Sequence, residues 1–212
     1  MLPVVTVVGI LVGWTSWVVA RRLTDDLHVD PCPVPRMSQA LPLICAALGG
    51  GVLGLAAVRA GDDLTAIARV AILAIPMLIT LATDVLDRLV FPAVLLPGLL
   101  MALGVAATGP LGLHAAIIAS AGAAGAAALL VALSRLVWSG SAETPLGSGE
   151  ILIAATAGAM LGPERTPAVL FAGMVLGAIA AGLLLVTRRA RREETLPYGA
   201  FLCLAALGAL AR

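Results

Sequence analysis

Apolar residues come in long runs along this chain, separated by short clusters of charge, proline and glycine. Crossing a bilayer as a helix takes roughly 20 apolar residues. The pattern predicts eight hydrophobic helical segments, at about 3–20, 38–58, 64–83, 90–107, 112–138, 150–162, 167–187 and 196–211. The sixth is the shortest and reads as a half-span or part of a broken helix, which a membrane tolerates only when it is buried against protein or water. Two stretches are rich in small residues, residues 48–57 (LGGGVLGLAA) and 119–128 (ASAGAAGAAA). Both suit close packing of helices in lipid. The fold class predicted is all-α: a polytopic membrane helix bundle forming one domain over residues 1–212.

Composition strengthens this picture. Hydrophobic residues make up 61% of the chain and charged residues only 12%, against about 25% charged in a soluble domain. Mean hydropathy is +1.09. Such a chain cannot cover itself with polar surface, so the lipid bilayer is an expected partner. A net charge of +1, without a basic stripe interleaved with aromatics, gives no reason to expect nucleic acid. Cys32, Cys45 and Cys203 are scattered, and His28 and His114 are far apart. No zinc spacing or disulfide framework results, and neither metal nor cofactor is expected.

The first apolar run ends in Arg21–Arg22. A cleavable signal would carry its positive charge before the run, so an uncleaved first span is expected. Arginine placement also sets orientation. The loops after segments one, three, five and seven hold Arg21, Arg22, Arg36, Arg88, Arg135, Arg188, Arg189, Arg191 and Arg192, while Arg59, Arg69, Arg165 and Arg212 fall on the other side. Nine against four puts both termini outside.

That orientation places Asp84 and Glu150 on the same, cytoplasmic, face. Asp84 closes the run AILAIPMLITLAT, and Glu150 follows Gly147-Ser148-Gly149 and opens the run ILIAATAGAMLG. Acids at the edge of hydrocarbon are costly and mark functional positions. Two carboxyls held close in low dielectric cannot both ionise easily, so one keeps a proton while the other stays charged. Such a pair can hydrolyse a peptide without metal or covalent nucleophile. Glycines at 147 and 149 allow backbone to approach a substrate strand closely. A plainer reading of Glu150 is a charge that complements a helix N-terminus. Asp87 reads as a solvated loop charge.

Four stretches carry a resemblance. Residues 9–23 (GILVGWTSWVVARRL) are similar to a G-S-F-L-N-V-x-I-x-R-L segment, with Ser16 or Trp17 at the Asn position. Residues 83–92 (TDVLDRLVFP) are similar to an Asp followed by a short basic loop. Residues 147–163 (GSGEILIAATAGAMLGP) are similar to G-x-G-D-V-K-L-x-A-x-x-G-x-x-L-G, and residues 194–210 (ETLPYGAFLCLAALGAL) to I-P-F-G-P-F-L-A-x-G-A. In order and spacing the chain resembles the prepilin peptidase (type IV leader peptidase) family of GxGD intramembrane aspartic proteases, with GxGE in place of GxGD. The resemblance implies Asp84 and Glu150 as the catalytic pair and Gly147 and Gly149 as motif glycines. It implies a multi-pass protein of the bacterial inner membrane, cleaving the basic leader of a prepilin or pilin-like precursor at the cytoplasmic face. The motif Lys is Leu152 here. Residues 24–37 (TDDLHVDPCPVPRM) hold one cysteine, so the paired-CxxC insert of many relatives is not expected. Asp25, Asp26 and Asp30 in that loop read as solvated charges, with attraction of a basic leader as the alternative.

The extra methylene of Glu150 moves a carboxyl by about 1 Å, and such a misplacement can cost on the order of 100-fold in rate. Two rival readings follow. One keeps the fold as a pilin-binding or assembly protein without proteolysis. The other is a small ion- or proton-coupled transporter using the same two acids.

Overall fold

A computed structural model describes residues 2–26, 35–61, 63–137, 147–187 and 197–211. The predicted loop acid Asp30, together with Cys32 and Arg188 to Arg192, lies outside the described residues. The described residues form helices only: α1 (Leu2–Asp26), α2 (Pro35–Ala60), α3 (Leu64–Asp87), α4 (Pro92–Thr108), α5 (Leu113–Val137), α6 (Ser148–Val186) and α7 (Tyr198–Leu210). Five of them, α1, α2, α3, α5 and α6, are long and apolar enough to cross a membrane. Large apolar side chains such as Leu43, Val58, Leu100, Leu136, Phe171 and Val186 stand exposed on the outside. This is the surface of a multi-pass membrane protein.

Among the described residues the count is seven helices, not the expected eight. The sixth and seventh hydrophobic segments belong to one element, α6, interrupted only at Gly162. Gly162 has φ 76° and ψ 175°, a conformation that side chains with a β-carbon rarely adopt. Pro163 follows in the helix, where its missing N–H and fixed φ suit a first turn. The Thr166 hydroxyl donates to the Gly162 carbonyl at 2.5 Å. No loop intervenes, because the polar residues Glu164 to Thr166 are themselves helical.

The interruption reverses the chain. In a straight helix Ala154 and Leu170 would lie about 24 Å apart. Instead Leu170 packs against the cluster formed by Ala154 with Ala123 and Ala127 of α5. The two arms of α6 therefore run antiparallel, and the ends at Ser148 and Val186 face the same way.

Two segments sit at the centre. In α3 the nine residues from Pro76 to Asp84 are all buried, and in the first arm of α6 so are the ten from Ile153 to Gly162. Burial of consecutive residues covers every side of a helix, so both acids sit at the ends of enveloped segments. Without a hydrophobic drive between helices in lipid, contact depends on how closely backbones can meet. A β-carbon at Gly13 would overlap the Cys45 carbonyl oxygen, and one at Gly158 would lie 2.5 Å from that of Ala119. These approaches lock α1 to α2 and α6 to α5. The small-residue stretch 48–57 contributes Gly49 to the first of these seams. Gly122 and Gly125 of the second stretch meet nothing within 4 Å; there it is Ala119 that makes the contact.

Candidate functional site

Asp84 lies one turn before the end of α3 and is 4% exposed. The helix closes at Arg88, whose backbone N–H donates to the Asp84 carbonyl at 2.9 Å. Arg88 adopts φ 56°, which turns the chain sharply after the acid and leads it through Val90 into α4. Pro92 then starts α4.

Val90 joins the two acidic segments. A β-carbon at Gly149 would lie 2.6 Å from Val90 Cβ, so only glycine lets the start of α6 seat against the turn after Asp84. Gly149 is thus required by packing. Gly147 has extended backbone at φ −112°, and a β-carbon there would meet only Glu150 Oε2, at 3.4 Å. Its contribution is its N–H, which donates to Glu150 Oε2 at 2.8 Å. The Glu150 side chain thus reaches back to cap its own helix, the third-position half of a capping box.

The structure brings Asp84 and Glu150 to one end of the bundle: Gly199 sits against both Asp84 and Ile153, one turn after Glu150, and Gly149 sits against Val90 in the turn after Asp84. Around them are the ends of α1 and α3 and the starts of α6 and α7. Asp87 sits nearby beside Thr24 and Asp25. It is not fully solvated as expected, because its Oδ2 is buried without a hydrogen-bond partner among the described residues. The opposite end carries Arg59, whose guanidinium donates to the Ala211 carbonyl, and Arg69, which donates to the Thr108 carbonyl at 3.1 Å.

Residues 194–210 carried part of the family resemblance without any of them being assigned to the site, yet the start of α7 completes it. The Ala200 N–H donates to Asp84 Oδ2 at 2.6 Å. Tyr198 lies within electrostatic reach of Glu150, and both line a cavity of about 450 Å³ between α5, the two arms of α6 and α7. The rest of its wall is almost wholly apolar, from Ala123 and Leu130 to Leu170 and Met174. A sequence signal was present in Pro197-Tyr198-Gly199 at a helix start. Nothing in it points to an acid more than a hundred residues earlier.

The arrangement can hold two carboxyls at the end of the bundle, Asp84 buried and Glu150 partly buried at the cavity wall, each with one oxygen fixed by a backbone N–H. A charged carboxylate accepts such bonds strongly. No family model, curated protein or solved structure matches the chain.

Proposed function

We propose that this chain is an intramembrane aspartic-type endopeptidase of the prepilin leader peptidase kind, using Asp84 and Glu150 as its acid pair. The supporting observation is the convergence of these two carboxyls, from α3 and α6, at one end of the bundle. Asp84 is buried there, and the start of α7 packs against it and against Ile153, one turn after Glu150. A pair sharing one proton can run hydrolysis in both directions of proton flow. The ionised member takes a proton from water as its oxygen attacks the scissile carbonyl. The protonated member gives its proton to the amide nitrogen as the C–N bond breaks. The substrate on this reading is a pilin-like precursor with a basic leader, processed at the cytoplasmic face of a bacterial inner membrane.

One observation favours a second reading. Glu150 Oε2 is already engaged by the Gly147 N–H, a bond that a purely structural helix cap would make. On that reading the chain binds pilin-like segments without cutting them.

Co-expression with a prepilin, read by gel shift and mass spectrometry of the mature end, separates the two. Under the peptidase reading the parent removes the leader, and neither Asp84→Asn nor Glu150→Gln does. A folded, membrane-inserted parent that leaves the leader intact, yet retains the precursor on co-purification, supports the binding reading instead.

A further inference from the structure

We infer that the first turn of α7, through Gly199 and the Ala200 N–H, is the positioning element for the Asp84 carboxylate. The inference rests on Asp84 being one of the reacting acids. The first N–H groups of any helix lack partners within it. The N-cap of α7 is Pro197, which has no side-chain acceptor to offer, and no side-chain cap bond is made there. Asp84 supplies the acceptor from another helix, 116 residues away in sequence. The acid thus caps α7, and α7 in turn fixes one carboxylate oxygen.

Gly199 makes this approach possible. A β-carbon there would lie 3.1 Å from Asp84 Oδ2, 3.3 Å from its carboxyl carbon and 2.8 Å from Ile153 Cδ1. The glycine lets the backbone come flush against the acid. The neighbouring Tyr198 ring packs on the second arm of α6, where a β-carbon at Gly177 would lie 2.8 Å from Tyr198 Cε2, and the same residue faces Glu150 across the cavity. Three consecutive residues therefore reach both acids. Downstream, Cys203 and Ala206 of α7 are fully buried, and the Arg59 guanidinium holds the last turn. With both ends tied, α7 cannot slide without moving the carboxylate. A backbone donor also cannot rotate away as a side chain can.

Cys203 lies one turn beyond Gly199 and reports docking of α7 without any need for activity. The probe is N-ethylmaleimide, with alkylation of Cys203 followed by peptide mass spectrometry on the full chain in nanodiscs. Ile153→Val serves as the background, because it removes the Cδ1 contact and leaves Asp84 as the nearest obstacle to an alanine at 199. In that background Gly199→Ala is expected to speed alkylation about threefold, since a β-carbon 3.1 Å from Asp84 Oδ2 strains the hydrogen bond to that oxygen without removing it. With Asp84→Ala also present, adding Gly199→Ala should change the rate little, since the shared contact is already gone. An equal acceleration with and without Asp84 would overturn the inference, for it would make Gly199 a packing residue only.

Leader cleavage supplies the second readout. Gly199→Ala in the Ile153→Val background should lower kcat about tenfold while KM stays near its parent value, a smaller loss than a full ångström of misplacement brings. An unchanged kcat would also overturn the inference. Coupling in the alkylation rates with no cleavage by any form, the parent included, would keep the geometric assignment and remove the peptidase reading.

Discussion

Gly158→Ala sets two opposing effects against each other, and their sign is decided by one contact. Replacing a mid-helix glycine by alanine ordinarily stabilises a helix by up to about 1 kcal/mol. At Gly158 the new β-carbon would meet the Ala119 carbonyl oxygen at 2.5 Å and the Ser120 Cα at 2.9 Å. These are backbone atoms of α5 and cannot rotate out of the way. Moving from 2.5 Å to an ordinary contact of 3.4 Å requires the first arm of α6 to shift by about 0.9 Å. Overpacking of this kind costs about 1–3 kcal/mol. Taking the middle of that range, the variant should lose about 1 kcal/mol net after the helix-propensity gain. The same arm carries Glu150, so a displacement near 1 Å should also reduce cleavage by about 100-fold. Gly125→Ala is the control, because nothing lies within 4 Å of a β-carbon there, and it should raise the unfolding midpoint. Thermal unfolding in nanodiscs and the leader-cleavage rate would be read on the same preparations. If Gly158→Ala raised the midpoint as Gly125→Ala does, the close seam between α5 and α6 would be refuted.

Shortening Glu150 to Asp should break its bond back to the Gly147 N–H, costing about 1 kcal/mol of stability. It should also lower cleavage about 100-fold through misplacement; a rise in cleavage would mean that glutamate had held the acid out of position. At the other end of the bundle, Asp63 caps α3, accepting from the Thr65 hydroxyl at 2.6 Å, the Thr65 N–H at 2.9 Å and the Ala66 N–H at 3.2 Å. The Thr65 hydroxyl bond above all, then the backbone bonds, holds its carboxyl below the usual range. Its folded pKa being the lower one, it stabilises above the ordinary carboxylate pKa and loses that contribution as pH falls through the folded value. Asp63→Ala should therefore lower the unfolding midpoint at neutral pH, with the difference from the parent closing under acid. A difference constant down to strong acid would refute the charged cap.

Several boundaries were readable because punctuation residues mark them. Asp63 and Pro92 stand at the starts of α3 and α4, within two residues of the hydrophobic runs at 64 and 90. Other ends were less legible. α1 continues to Asp26 and α2 begins at Pro35, beyond the runs 3–20 and 38–58. Helical hydrogen bonding does not stop where hydrocarbon does, and pairs such as Arg21–Asp25, at 3.7 Å, sit on the protruding turn. The shared placement of Asp84 and Glu150 followed from counting reversals along the chain. Only α4 and α5 lie between them, so the two segments merged at Gly162 do not enter that count. What the sequence could not disclose were the backbone partners. The Ala200 N–H on Asp84 and the Gly147 N–H on Glu150 carry no residue signature. The seat of Gly149 on Val90 depends on two elements meeting, which no local pattern encodes.

The length of α7 has a consequence for the membrane around it. Its 13 residues rise about 20 Å, against a hydrocarbon layer of about 30 Å. Tied to Asp84 at one end and to Arg59 at the other, it cannot lengthen to match. The shortfall is met by tilting neighbours, by lipid compressing locally, or by water entering above its ends, each at a modest elastic cost per ångström. A bilayer thinned in that way would leave the two acids at the floor of a dimple, below the plane of the headgroups. Acyl-chain length in the host bilayer would thereby set how deep that floor lies, a thicker membrane deepening it without altering a residue.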